Sequence, residues 1–399
     1  MRRKWFMVIA ALLAIVLIAV AGCAKPAPPA PTGPVKIGFI GPLTGPISAD
    51  GLLMADNAEL AARIANEKGG ILGGRQVEIL RYDNKCMPED TVAMARKAIE
   101  VDKVKALTGF WETANVEAVR PIGREYKIPV CPGTGGGIDT MEDWYPGWFH
   151  HGDLIVMDMK PIMVRMETDP KLETIALVWE DMEFTRDGSD ILHRRWDVSG
   201  SPIEIVGEIW HPIGQGKLKL EYTKAMGFNP DAIFMSEWSP PAIIGAIMAL
   251  HEIGYEGVVF TGTPLARGFI LQQVGEAAEG IMVGATLIED PSVPENVAYC
   301  ARHREEISED IYFCGMCQFE ATEILILGMD KAGTDSDAEK IDEAVRTLDY
   351  TFLSGDKMEL TPEGRVVRHR TYLAQVQGGK IVMLEYTILE LEDYAYYLR

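Results

Sequence analysis

Three acids in this chain stand beside glycine or tryptophan in turn-rich stretches: Asp50 before Gly51, Glu112 after Trp111, and Glu237 before Trp238. Carboxylates set among indole faces can form a cage for a cation, which pairs with the charge and sits over the ring. The plainer use of the same acids is a solvated surface. Thr113 follows Glu112 where a helical pattern starts, and Gly133-Thr134-Gly135-Gly136-Gly137 follows a short apolar run. A hydroxyl beside the first free N–H groups of a helix can hold a carboxylate, and so can a glycine loop that exposes backbone donors. A helix cap and a flexible turn are the alternatives. No Lys-Ser/Thr follows the glycines, so this is not a phosphate-cradling P-loop. His150-His151-Gly152-Asp153 carries metal-ligating residue types, but it stands where the chain leaves a strand, and no companion cluster is apparent. A structural or hinge role is favoured there. Cys314-Gly315-Met316-Cys317 has the spacing of a thiol redox pair or of half a zinc site. Redox pairs of that spacing belong to much smaller folds, and a second such pair is lacking. A structural disulfide with Cys300 is therefore the better reading. With neither a Gly-x-Ser-x-Gly elbow nor a His-Glu-x-x-His signature, no catalysis, cofactor or metal is expected.

The elements that must carry these residues alternate. Val35–Ile40 is a short apolar run rich in β-branched residues, as suits a strand buried on both faces of a parallel sheet. Gly41-Pro42 and Gly45-Pro46 end it. Met54, Ala58, Ala61 and Ala65 recur at helical spacing, opposite Asp56, Glu59, Arg63 and Glu67. Gly69-Gly70 stops that helix, and Val77–Tyr82 is the next strand, which makes a right-handed βαβ crossover. The alternation continues with helices over 91–100 and 113–127, the second interrupted near Pro121, strands over 104–109 and 128–131, and a fifth strand over 147–150. A second round follows: a helix over 153–167, strands over 174–179, 203–209, 232–235, 258–261 and 281–287, and helices starting at Arg186, Gly216, Pro241 and Gly268. Helices over 294–307, 317–332 and 337–348 and late strands over 370–376 and 380–386 complete the chain. The fold class is α/β with two doubly wound parallel sheets. Open α/β sheets bind ligands beyond the carboxyl ends of their strands. The candidate loops are therefore 48–51, 110–115 and 132–137 in the first half, and 180–185, 237–240 and 262–265 in the second, where Phe184, Trp238 and Thr263 join the set.

Several stretches resemble the leucine/isoleucine/valine-binding protein family, the type I periplasmic solute-binding proteins of ABC transporters. They are Ile37-Gly-Phe-Ile-Gly-Pro-Leu-Thr-Gly-Pro46, Gly51, the helix end Ala61–Asn66, Gly69–Gly74, and Tyr82-Asp83-Asn84 followed by Pro88. Asn229-Pro-Asp-Ala-Ile-Phe and Ala249-Leu-His-Glu-Ile-Gly add to them. The resemblance implies two lobes joined by a three-stranded hinge, lobe one from 35–150 with 288–362 and lobe two from 151–287 with 363–399. It places Thr113 near the family serine that binds an amino-acid carboxylate, and Gly133-Thr134-Gly135 on the loop that also contacts it. Phe184 falls where the family has a tyrosine, and Trp238 where it has an aromatic wall. The family glutamate that pairs with the ligand amine is missing, because the segment here is Thr261-Gly-Thr263-Pro-Leu. A buried ammonium without a partner is costly. Either Asp50, Glu112 or Glu237 substitutes, or the ligand has no α-amine.

A length of 399 residues suits two lobes, and 47% hydrophobic with 24% charged residues is a globular balance. A net charge of −21 argues against nucleic acid and anionic membrane surfaces. Residues 1–23 read as a targeting segment: Arg2-Arg3-Lys4, an apolar core over Trp5–Val20, and Val20-Ala21-Gly22-Cys23, which resembles a bacterial lipobox with Cys23 as the lipidated residue. An uncleaved membrane anchor is the alternative. Residues 24–34 are a Pro-rich linker. Of the other cysteines, Cys86, Cys131, Cys300, Cys314 and Cys317, an odd number precludes complete pairing. The family often bridges the cysteine after its second strand, here Cys86. Cys131 is a substitute partner, and Cys300 with Cys314 or Cys317 is a second bridge.

The resemblance thus implies an extracytoplasmic, lipid-anchored, monomeric substrate-binding protein of an ABC importer. Its partners are a small amino acid or related carboxylate or amide, and the permease and ATPase subunits, with no nucleic acid. A ligand sensor of the same fold is the alternative, and a thiol-redox lipoprotein using Cys314 and Cys317 the more remote one.

Overall fold

Two sheets organise the chain, and each places its first strand inside rather than at an edge. The computed structural model describes residues 33–135, 144–151, 155–199, 201–361, 366–367 and 370–389. The targeting segment with Cys23, Gly136 and Gly137 of the glycine loop, and Asp153 lie outside the described residues.

The first sheet comprises β1 (Val35–Gly41), β2 (Val77–Asp83), β3 (Ala106–Gly109) and β4 (Val130–Pro132) in the order β2-β1-β3-β4. All pairs are parallel, with Val35 opposite Val77, Ile37 opposite Ala106 and Leu107 opposite Val130. Both faces are covered, which is why β1 can be apolar throughout. Ile37 and Phe39 pack among Met54, Ala58 and Ala61 of α1 (Ser48–Glu67) and Ile324 and Leu325 of α10 (Phe313–Ala332). Ile40 and Leu107 face Ala95 and Ala98 of α2 (Pro88–Glu100) and Val116 and Val119 of α3 (Thr113–Tyr126). Gly51 is required where α1 starts, because a Cβ there would lie 2.0 Å from the carbonyl oxygen of Pro42.

The second sheet is entered through α4 (Ile155–Thr168). Its strands are β5 (Thr174–Asp181), β6 (Glu204–Pro212), β7 (Ala232–Ser236), β8 (Val258–Thr261), β9 (Met282–Ala285), β12 (Arg370–Gln377) and β13 (Lys380–Ile388), in the order β13-β12-β9-β8-β7-β5-β6. Helices α5 (Glu183–Ser199), α6 (Lys219–Gly227), α7 (Pro240–Ile253) and α8 (Gly268–Val274) connect the parallel strands. After β9 the chain forms α9 (Pro294–Glu306), α10 and α11 (Ala338–Val345), then the small β10 (Glu359–Leu360) and β11 (Val366–Val367) pair. It then returns to the second sheet. Among the described residues no helix is long and apolar enough to cross a membrane.

Four expectations change. The second sheet is mixed: β12 runs antiparallel to β9 and β13 antiparallel to β12, as a tight Gly378-Gly379 turn demands. The stretch 147–150 forms a single parallel bridge, Val130 to Trp148, instead of a strand. Helix α3 runs through Pro121 without interruption. None of Cys86, Cys131, Cys300, Cys314 and Cys317 is in a disulfide. The Cys86 sulfur lies 3.8 Å from the Asn115 amide nitrogen of α3, and Cys131 is buried on β4. Cys300 instead donates to Asn296 Oδ1 at 3.2 Å.

Candidate functional site

The order 2-1-3-4 recurs in both sheets, as β2-β1-β3-β4 and as β6-β5-β7-β8. Each therefore reverses direction beside its inner strand, and connections leave on opposite faces there, opening a crevice. The loops at these points supply one wall each of a common cleft, whose roughly 390 Å³ of space free of protein atoms includes its open mouth. Trp111, Glu112 and Thr113 come from the end of β3, and Thr134 and Gly135 from the end of β4. Met182 and Phe184 follow β5, Trp238 follows β7, and Tyr312, Phe313 and Cys314 open α10.

Phe110 takes a left-handed backbone (φ 62°) and donates its N–H to Ile40. This turns the chain so that α3 starts at the cleft. Glu112 is the N-cap, and its carbonyl accepts from Asn115 and Val116, so no i−4 partner exists for the N–H groups of Thr113 and Ala114. Thr113 is the first helical residue, 2% exposed, and its buried hydroxyl has no hydrogen-bond partner. It is not the helix cap. The Thr134 hydroxyl, by contrast, is spent on the carbonyl of Phe110 at 2.9 Å. Gly135 has φ +81°, and a Cβ there would lie 3.0 Å from the Glu112 carbonyl oxygen.

The opposite wall is aromatic. Phe184 meets Trp238 edge to face at 4.7 Å between ring centres, and Trp238 meets Phe313 at 6.3 Å. Tyr312 packs on Phe313 at 4.7 Å. Glu180 fixes this wall from behind, accepting the N–H groups of Trp238 at 2.7 Å and Ser239 at 2.8 Å, while the indole N–H donates to Ser236 at 3.1 Å. Glu112 is the acid of the cleft. Burial pushes its carboxyl up to about 8, with the charges of Glu183 and Glu180 adding to the effect.

Seven sequence-level candidates thus meet at the cleft: Trp111, Glu112, Thr113, Thr134, Gly135, Phe184 and Trp238. Four lie elsewhere. Asp50 forms a buried ion pair with Arg267, whose guanidinium sits 4.3 Å over the Tyr312 ring. Glu237 points into the second sheet's packing, accepting from the Tyr222 hydroxyl at 2.6 Å and bonded to His211 Nε2 at 2.8 Å. The Thr263 hydroxyl donates to Asp158 at 2.6 Å. Gly133 faces Gln318, whose Oε1 would be 2.3 Å from a Cβ there. The shared reason is that each acid or hydroxyl found a partner within its own packing. Met182 lies within the candidate loop 180–185 but was not singled out, and Tyr312, Phe313 and Cys314 were not foreseen at the cleft. The last three enter from a helix start on the return passage, which a search of strand-end loops does not reach.

Two doubly wound sheets that present their strand-end loops to one shared cleft define a periplasmic-type binding protein. The chain belongs to the periplasmic binding protein family, whose profile matches residues 34–380. It is similar to Leu/Ile/Val-binding protein homolog 6 of Brucella suis, 23% identical over 350 residues, spanning 86% of this chain and 87% of that one. Among solved structures it resembles a solute-binding protein of an R. palustris ABC transporter in complex with 4-hydroxybenzoate. That match has a TM-score of 0.80 and 19% identity, and covers 89% of this chain and 97% of the other. It also resembles a branched-chain amino acid transporter substrate-binding protein of Streptococcus pneumoniae in complex with isoleucine. The TM-score is 0.78 at 17% identity, covering 89% of this chain and 99% of the other.

Proposed function

We propose that this chain is the extracytoplasmic substrate-binding protein of an ABC importer and that it captures a small aromatic monocarboxylate. The observation that carries the proposal is the pairing of an unpartnered Thr113 hydroxyl at a helix start with a wall of Phe184, Trp238, Tyr312 and Phe313. The hydroxyl and the free N–H groups of α3 take the carboxylate, and the rings take the apolar body. An α-amino acid needs an ionised acid for its ammonium, and in the empty cleft burial and the charges of Glu183 and Glu180 favour the protonated form of Glu112. The 4-hydroxybenzoate complex of a fold relative supports the aromatic acid, and the Leu/Ile/Val-binding relatives support the amino acid as the second reading.

In this proposal residues 35–150 with 288–362 and residues 151–287 with 363–399 act as two lobes that close on the solute about the three passages between them. A lipidated Cys23 tethers the monomeric chain outside the cytoplasm, where the closed form meets the permease. The chain captures solute and performs no catalysis. Isothermal titration with benzoate, 4-hydroxybenzoate, leucine and isoleucine tests it. Binding of the benzoates and not of leucine or isoleucine is expected; binding of the amino acids alone would overturn the aromatic reading.

A further inference from the structure

The fold brings together residues of two motifs that lie far apart in the sequence, through side chains that do not line the cleft. His151 comes from the first, Cys317 from the second, and Glu320 lies one helical turn beyond Cys317 on α10. One imidazole nitrogen, one thiol sulfur and one carboxylate oxygen fall within 4.8 Å of one another. The three residues are 4%, 0% and 0% exposed. We propose that His151, Cys317 and Glu320 form a site for one divalent cation of the zinc class, separate from the solute cleft.

Donor chemistry selects the metal. Imidazole, thiolate and carboxylate together suit zinc or cobalt, whereas calcium and magnesium take oxygen ligands. Geometry is close to what zinc requires. Bond lengths of about 2.0–2.3 Å in a tetrahedron set donor atoms about 3.3–3.6 Å apart. His151 Nε2 and Glu320 Oε2 are already 3.0 Å apart, and the sulfur, within 4.8 Å of both, completes the edge lengths if its two edges shorten by up to about 1.5 Å. Charge also balances. A thiolate and a carboxylate cancel a divalent cation, so the bound site is neutral in a dry core where net charge is costly. The Cys317 thiol releases its proton to solvent as the metal–sulfur bond forms.

A supporting layer holds the ligands. Glu320 Oε1 accepts the Leu353 N–H at 2.6 Å, which leaves Oε2 turned toward His151. The His151 ring packs at 5.8 Å from the Phe352 ring. Backbone bonds and ring packing of this kind orient first ligands in metal sites.

The full-length protein in detergent is loaded with zinc chloride, dialysed against metal-free buffer, and assayed for bound zinc by mass spectrometry. A parallel sample takes cobalt and is read for the sulfur-to-cobalt charge-transfer band in the near ultraviolet. One equivalent of zinc and a charge-transfer band are expected. Cys317→Ser should abolish the band, and Glu320→Gln and His151→Asn should each cut retained zinc at least tenfold. Cys314→Ser should leave both signals unchanged. Circular dichroism checks that each variant is folded; if a variant unfolds, the wild-type band with intact Cys314→Ser signals carries the test. No band in the wild type, or a band lost equally in Cys314→Ser, would overturn the assignment.

Discussion

Replacing Thr113 with valine separates a ligand group from a structural one by the sign of two measurements. The hydroxyl is buried and unpartnered in the free chain. A hydrogen bond to an ionised group contributes about 1.5–3 kcal/mol, so losing it should weaken a bound carboxylate about 10- to 150-fold. The same change removes no internal bond. A buried polar atom left unpaired costs about 1–3 kcal/mol, so the free protein should melt at the same temperature or higher. Titration calorimetry with 4-hydroxybenzoate measures the first effect, and a melting curve without ligand measures the second. A lower melting temperature with unchanged affinity would refute the reasoning, because it would show that the hydroxyl serves the fold.

Asp50→Asn should cost about 3 kcal/mol in urea unfolding, because it leaves Arg267 buried without its counter-charge. Adding Arg267→Met should recover most of that loss, and equal stability of wild type and Asp50→Asn would exclude the ion pair. Glu112 sets a pH dependence. The folded chain holds its proton up to about 8, whereas an unfolded chain releases it near 4.5. The folded state therefore binds the extra proton between these values, so stability from this group is greatest below 4.5, falls as pH rises through the window, and is flat above 8. Glu112→Gln should remove that part of the slope in urea midpoints measured from about pH 5 to 8; an unaltered slope would show that other groups cause it.

Local pattern was enough for most of the architecture. The β-branched run at Val35, the glycine stops at Gly69-Gly70 and the helical spacing of Met54 to Ala65 are short-range facts, and the observed strands and helices follow them. The late strands and the tight Gly378-Gly379 turn between them were legible too, but the antiparallel pairing of β12 with β9 was not, since direction in a sheet depends on which neighbour is reached. Residues brought to the cleft by a strand end, such as Thr113, Phe184 and Trp238, could be located by the rule that ligands meet the carboxyl ends of parallel strands. Tyr312 and Phe313 could not, because they arrive on the return passage.

What the amino-acid order determined on its own was the alternation of elements, the family, and some of the loops that line the cleft. Only the tertiary structure decided which acid stays at the cleft. Asp50 found Arg267, Glu237 found Tyr222 and His211, and Glu112 alone of the three was left at the cleft wall. Side-chain type and spacing cannot settle such a choice. A buried charge takes whichever partner the packing brings within bonding distance, and that partner lies at an unrelated place in the chain.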